Sequence, residues 1–483
     1  MSTAIDKDER VPSALSRLTS ARIATRTAVW CEAGIDTTAL SFFPLLVIVP
    51  RGVAALISAA GLCAVGLVLS TRGPKPCTAL ATVGALLGCL VLWGSASAIW
   101  SVDWRRSLVV AVRLAGLFTA GLALVGATNS IRAPGRLTLI LLGSLALALA
   151  LAAVDLTTHG AVGAPFSDRA YQPAGLNQAS VSFAILLFPM TAVLVGRRLR
   201  VCALLLAAAT GALIFILAGT TAKAALAAGL LVGILCFCSR TRVAHAAAII
   251  SVFVIITAPL TFARLGWLPV LTETADAVKL SAGHRLWIWS FAGDHIAQRP
   301  LAGWGLDSSR SIPGGKDLVR PDESWLPLHP HNAPLQLWLE LGVPGAVLFA
   351  LVVAYVWHAL AVAPWSPIFG AAAGASLTSA LIACVAAYGI WQEWWIGVLW
   401  FLLFGVLVTA RATSTTIARE NTPVRPLSIV AASSEDDGIA RYDFRAVPTL
   451  QQKNSHQYKD DDDAGERILD QPSEPDPRST VPL

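Results

Sequence analysis

Apolar runs long enough to cross a hydrocarbon core of ~30 Å recur along most of the chain. Short polar or glycine-bearing breaks separate them. The pattern predicts about twelve spanning helices, over residues 28–50, 52–71, 77–99, 107–127, 136–156, 178–196, 200–218, 222–239, 243–263, 345–363, 367–390 and 393–411. Only Arg51 and Gly52 separate the first two. The expected fold is therefore all-α, a polytopic transmembrane helical bundle whose interior is set by lipid rather than by water.

Composition agrees with the pattern. Of 483 residues, 55% are hydrophobic and 14% charged, with a mean hydropathy of +0.64. A soluble domain has about a quarter of its residues charged. The formal charge of +6 does not point to nucleic acid, because arginines in such a chain mark the ends of helices. The eight cysteines lie in apolar runs or at their edges (Cys31 and Cys77), so they read as small packing hydrophobes, Cys236 and Cys238 included.

Short-loop cations give an orientation. Arg72, Lys75, Arg132, Arg136, Arg197, Arg198, Arg200, Arg240 and Arg242 fall on one side, joined by Arg10, Arg17, Arg22 and Arg26 of the N-terminal tail. The other side carries Arg51, Arg105, Arg106, Arg169 and Lys223. The richer side is expected to be cytoplasmic, with both termini, and residues 264–344 then lie outside. Residues 1–27 read as a cytoplasmic tail without a cleavable signal peptide. Residues 412–483 read as a disordered cytoplasmic tail, within which 458–463 resemble an epitope tag and are set aside.

The outer connection is too long for a simple link. It holds Pro300, Gly303, Gly305, Pro313-Gly314-Gly315 and several Trp, and Ala275–Gln298 reads as partly helical. An ordered cap is expected there, its Trp side chains at the headgroup level. It ends in Leu328-His329-Pro330-His331-Asn332-Ala333-Pro334. Asn favours the N-cap and Pro the first turn, so a helix should start near Asn332. Asn332, Gln336 and Glu340 then form a polar stripe, and Gly342-Val343-Pro344-Gly345 should break the helix. Aligned polar residues at membrane depth normally line a cavity.

A histidine there can take a proton from a hydroxyl nucleophile, with Glu340 to orient or charge it. A helix-capping His pair is the plain alternative. His-x-His completed by Glu340 or His284 as a metal site is another. Outer cations near a lone base (Arg285, Lys223, Arg169, Arg264) would suit a phosphate or diphosphate, although each alone reads as a surface cation. The chain has no Gly-rich nucleotide loop, Walker pattern or Ser elbow, so nucleotide hydrolysis finds no support and the nucleophile is not the protein itself.

His331-Asn332-x-x-Leu335-x-x-x-x-Glu340-x-Gly342-x-x-Gly345 resembles the signature of the O-antigen ligase and polymerase superfamily. Arg285-Leu286-Trp287-Ile288-Trp289, Arg299-Pro300-Leu301-x-Gly303-x-Gly305 and Gly175-Leu176-Asn177-Gln178 resemble further parts of it. A departure is Thr221-Ala222-Lys223-Ala224, where the family commonly has Ser-Arg-Gly; lysine keeps the charge without the bidentate fork.

The resemblance implies a GT-C-like bundle, with residues 28–411 as a catalytic domain in a bacterial inner membrane. It implies a metal-independent, cofactor-free, inverting transferase. The donor would be an undecaprenyl-diphosphate-linked glycan and the acceptor a lipid A-core sugar at a periplasmic site. His331, with His329 and Glu340, would carry the proton chemistry. Arg285, Lys223 and Arg169 would hold the diphosphate, and Asn332, Gln336 and Asn177 would support. The alternatives are an O-antigen polymerase and a lipid-linked glycan transporter without catalysis. Spans largely free of charge, Arg113 and Lys223 excepted, favour an enzyme over a transporter.

Overall fold

The computed structural model describes residues 14–71, 78–166, 173–278 and 280–420. These lie in the compact unit Met1–Thr422; the second unit, Pro423–Leu483, falls outside them. The α-helices in chain order are α1 Ala14–Ile48, α2 Val53–Thr71, α3 Thr78–Ala96, α4 Trp104–Gly126, α5 Pro134–Thr157, α6 Asn177–Gly196 and α7 Arg200–Ile216. Then follow α8 Thr220–Leu265, α9 Pro269–Val278, α10 Leu280–Gln298, α11 Ala333–Val362, α12 Pro367–Ala386 and α13 Glu393–Glu420. A two-stranded antiparallel hairpin, Leu318–Arg320 with Glu323–Ser324, is the sheet among the described residues.

Ten segments are long and apolar enough to cross a membrane, so the all-α polytopic bundle stands. The count of about twelve differs for two reasons. Arg200–Ile216 is shorter than the rest, and the predicted spans 222–239 and 243–263 merge in α8. Helix α8 nonetheless breaks at Ser239 (φ −155°, ψ 79°). Its first half runs antiparallel to α12, since Ser379 Oγ donates to Ala225 O and Arg240 to Ala363 O and Trp365 O. Its second half runs beside α11, with Thr241 on Ala361 and Trp357 on Ser251. The chain doubles back at Ser239, as two spans would. Gly229 and Gly233 let the first half approach Ala375 and Ser379 closely, as small residues do between membrane helices.

Other boundaries moved. Helix α1 begins at Ala14, inside the segment expected to be a tail, although its apolar part starts at Ile23. Helix α13 continues past 411 to Glu420, and residues 458–463 lie outside the described residues. A 3-10 turn, Pro50–Gly52, separates the first two spans. Leu62, Leu69, Leu92 and Phe253 stay exposed on the spanning helices, a surface suited to lipid.

The cap forms as expected in outline, with α9 and α10 over its predicted helical segment. Several of its tryptophans find partners within the cap. Trp304 is buried and donates to His295 O, and Trp289 donates to Pro330 O. Trp287 packs edge-on against Trp325. Trp289 and Trp304 belong to a small core with Ile288, Ile296 and Leu339, and Trp267 is well exposed.

Helix α11 begins as predicted, its Asn332 side chain accepting from Leu335 N at 3.0 Å. It breaks at Gly342 (φ 62°, ψ −155°), a region that a side chain makes very costly. The break frees backbone groups, and the 300–305 segment takes them. Trp304 N donates to Leu339 O, Gly305 N to Glu340 O, and Val343 N to Pro300 O. Trp93 Nε1 takes Leu341 O. A Cβ on Gly303 would stand 2.6 Å from Leu341 N. The Arg299–Gly305 motif and the Gly342 motif are thus two halves of one close backbone contact.

Candidate functional site

Helix α12 stops at Ala386, four residues before its predicted end, and residues 387–392 cross to α13 without helical structure. This short turn is where the polar side chains converge. Thr221 Oγ1 (3.3 Å) and Arg285 Nη1 (2.5 Å) donate to Ala386 O. His331 Nδ1 lies 2.7 Å from Ala387 O. Gln336 Oε1 accepts from Ile390 N at 3.0 Å, and Gln392 meets His329 Nε2 at 3.0 Å. Tyr388 OH donates to Asn177 O. A Cβ on Gly389 would come within 2.9 Å of the His329 ring, so the turn needs glycine there.

The two histidines are adjacent, with ring centroids 4.3 Å apart, yet their states differ in consequence. A carbonyl only accepts, so the bond to Ala387 O requires the proton of His331 on Nδ1. That leaves Nε2 with the lone pair when the ring is neutral. Burial, with the charges of Arg285 and His284, pushes its pKa below the usual histidine range against the opposing pull of Ala387 O. The residue also holds a positive φ of 54°, a conformation found at strained functional positions.

His329 is more deeply buried. The His331 amide points at its Nδ1 and the Gln392 amide at its Nε2. A neutral ring has one lone pair for two donors and a protonated ring has none. Desolvation, with the charges of His331, Arg310 and Arg285, pushes its pKa down to about 3.

Glu340 is fully buried, and none of its side-chain hydrogen bonds goes to a histidine. Its Oε1 accepts from Ser309 Oγ and from Gln336 Nε2 (3.0 Å). Its Oε2 accepts from Asp307 N (2.5 Å) and Trp391 Nε1 (2.6 Å). The carboxylate therefore ties the 307–309 loop to α11 and to the 387–392 turn, where orientation of His331 was expected.

The expected cations separate. Arg285 reaches the histidine flank, where burial lowers its pKa against the pull of Tyr388. Lys223 lies over the Phe215 ring at 5.9 Å. Arg169 lies outside the described residues. Asn177 sits under Tyr388, its Oδ1 buried without a hydrogen bond. Among the described residues no three His, Cys, Asp or Glu side chains group together as a metal set.

On the other flank of the turn lies a cavity of about 410 Å³. His329, Gln336 and Gln392 form part of its wall, and Arg51, Arg106, Arg113 and Arg310 another part. Sequence reasoning used three of these arginines for orientation or span charge and overlooked Arg310. Their convergence depends on the 50–52 turn, helix α4 and the cap loop folding to one place.

The family model described as O-Antigen ligase matches residues 201–350. That stretch is similar to the O-antigen ligase family. It contains Arg285, both histidines, Glu340 and the two glycine motifs. A candidate polysaccharide ligase of Rickettsia conorii is 39% identical over 130 residues, 26% of this chain and 31% of that protein. One of Rickettsia felis is 39% identical over 131 residues, 26% of this chain and 32% of the relative. The chain thus spans about a third of the length of the curated relatives it matches.

Proposed function

We propose that the chain is an inverting membrane glycosyltransferase that ligates a polyprenyl-diphosphate-linked glycan to a saccharide acceptor. The observation that carries this reading is the state of His331: half-buried, held by Ala387 O in the Nδ1–H form, and beside Arg285. An acceptor hydroxyl oxygen attacks the anomeric carbon as the bond from that carbon to the diphosphate oxygen breaks. The hydroxyl proton passes to His331 Nε2. The electron pair leaves with the polyprenyl diphosphate, whose charge Arg285 and Lys223, with Arg169, stabilise. Attack opposite the leaving group inverts the anomeric centre. His329 packs against His331 and positions it, and Asn332 fixes the helix start behind both.

In this reading the donor is undecaprenyl-diphosphate-linked and enters from the lipid, and the acceptor is a lipid A-core sugar. The site faces the periplasm of a bacterial inner membrane and both termini are cytoplasmic, in keeping with the loop cations. The test is transfer by purified protein from lipid-linked glycan to lipid A-core or to a second donor molecule. Lipid A-core glycosylation supports the ligase, and chain lengthening alone indicates a polymerase. His331→Ala should lower turnover by a factor of about 10² to 10⁴. Full turnover by that variant would remove His331 as the base.

A further inference from the structure

The side chains of Arg51 and Arg310 make no hydrogen bond or ion pair among the described residues, the buried Arg310 Nε included, and both line the cavity beside His329. Arg106 pairs with Asp307 at 2.6 Å and Arg113 with Glu393 at 3.1 Å, both inside the same lining. Four arginines against two carboxylates leave a surplus of two positive charges in that wall. His329, kept neutral by burial and by its two donors, adds none. Arg310 is close enough to Asp307 and His329 for its charge to bear on both.

The arrangement is built rather than incidental. Glu340 holds the backbone of Asp307 and the hydroxyl of Ser309, which fixes the loop that ends in Arg310. Asp307, at a positive φ of 52°, in turn holds Arg106. Arg51 comes from the turn between the first two spans, Arg106 and Arg113 from α4 and Arg310 from the cap loop, so three separate segments deliver cations to one cavity.

We propose that this cavity is an anion subsite for the acceptor, taking a phosphate or carboxylate carried on its sugar. Its lining includes His329 but neither His331 nor Arg285. This rests on the glycosyltransferase reading and deepens it, giving donor and acceptor separate anion sites. Planar guanidinium forks suit such groups, and an unpaired arginine loses little by taking one.

The test measures binding, so it does not depend on turnover. The full chain in detergent is titrated with glucose 6-phosphate, with glucose and with farnesyl diphosphate. Glucose 6-phosphate should bind and glucose should not. R310Q and R51Q should each weaken the phosphosugar by about tenfold, and R285Q should leave it unchanged. Farnesyl diphosphate should show the reverse sensitivity. Equal binding of glucose, or weakening of the phosphosugar by R285Q alone, would overturn the proposal. Loss of farnesyl diphosphate affinity in R310Q with none in R285Q would reassign the cavity to the donor and overturn it as well. Failure of His331→Ala to slow transfer would sink the catalytic reading and leave these binding results standing.

Discussion

Replacing Glu340 by Gln tests whether this carboxylate acts through the loop it holds or on the histidine. Four N–H or O–H donors face its two oxygens in full burial. An amide offers one oxygen. The backbone of Asp307 and the indole of Trp391 cannot turn away, so the oxygen must serve them. The new amide nitrogen then faces Ser309 and Gln336. Ser309 can rotate and accept, but Gln336 cannot flip without withdrawing its oxygen from Ile390 N. One buried donor left unmet costs about 1–3 kcal/mol, and weakening two charge-assisted bonds adds about 1 kcal/mol each. The expected loss is about 3–5 kcal/mol.

The assay pairs the unfolding midpoint in detergent with the acceptor dependence of transfer. E340Q should unfold earlier and raise the acceptor KM, because the 307–310 loop loosens. E340A, which leaves all four donors unmet, should be worse. If E340Q abolished turnover with an unchanged unfolding midpoint and unchanged acceptor KM, Glu340 would act on the chemistry directly and the loop argument would fail.

His329 makes stability depend on pH. Its folded pKa of about 3 lies below the unfolded value near 6.5, so its contribution is full above pH 6.5 and fades as pH falls towards 3. Between pH 7.5 and 5 it should remove ~2 kcal/mol of stability, read as the difference between the wild type and His329→Gln. Asp307, whose carboxyl is pushed up mainly by burial, acts in the opposite sense, its contribution being lost as pH rises through its folded value; comparing the two proteins cancels it. Gly342→Ala should cost at least about 2–3 kcal/mol, because the positive φ and a Cβ 2.5 Å from Leu301 C both penalise it; wild-type thermal stability in that variant would contradict the backbone contact. Transfer should persist after exhaustive chelation, and loss restored by a divalent cation would revive the metal reading of His329 and His331.

Much of the fold was legible because lipid imposes a single-scale rule on the sequence: long apolar runs must be helices. The Asn332 cap and the break at Gly342 were legible from local chemistry. The end of α12 was not, since Ala387, Tyr388, Gly389 and Ile390 continue an apolar run with no proline or charge to stop it. The helix ends there because its last carbonyls and the amides beyond are taken by distant groups: Arg285, Thr221, His331 and Gln336. Those partners are far away in sequence and invisible to periodicity. The polar stripe was read correctly as a stripe, but the residues it meets lie across the turn and in the cap loop. That is why Glu340 was paired with His331 on spacing alone.

The non-helical turn also explains how polar chemistry is accommodated between two apolar helices. Irregular backbone at membrane depth is tolerated only where it is buried in protein or lines a cavity. Here both conditions hold at once. On one flank the carbonyls of Ala386 and Ala387 are consumed by Arg285 and His331. On the other, Gly389, Trp391 and Gln392 line the arginine cavity. The same six residues therefore set the proton of His331 on Nδ1 and keep His329 neutral. They also form part of the wall that separates two groups of cations. In the proposed reading, a base with a free Nε2 gains from such a wall, because arginines could hold a phosphate without its pairing with the imidazole. Keeping His331 uncharged and its lone pair available is thus a property of the turn as much as of the histidine.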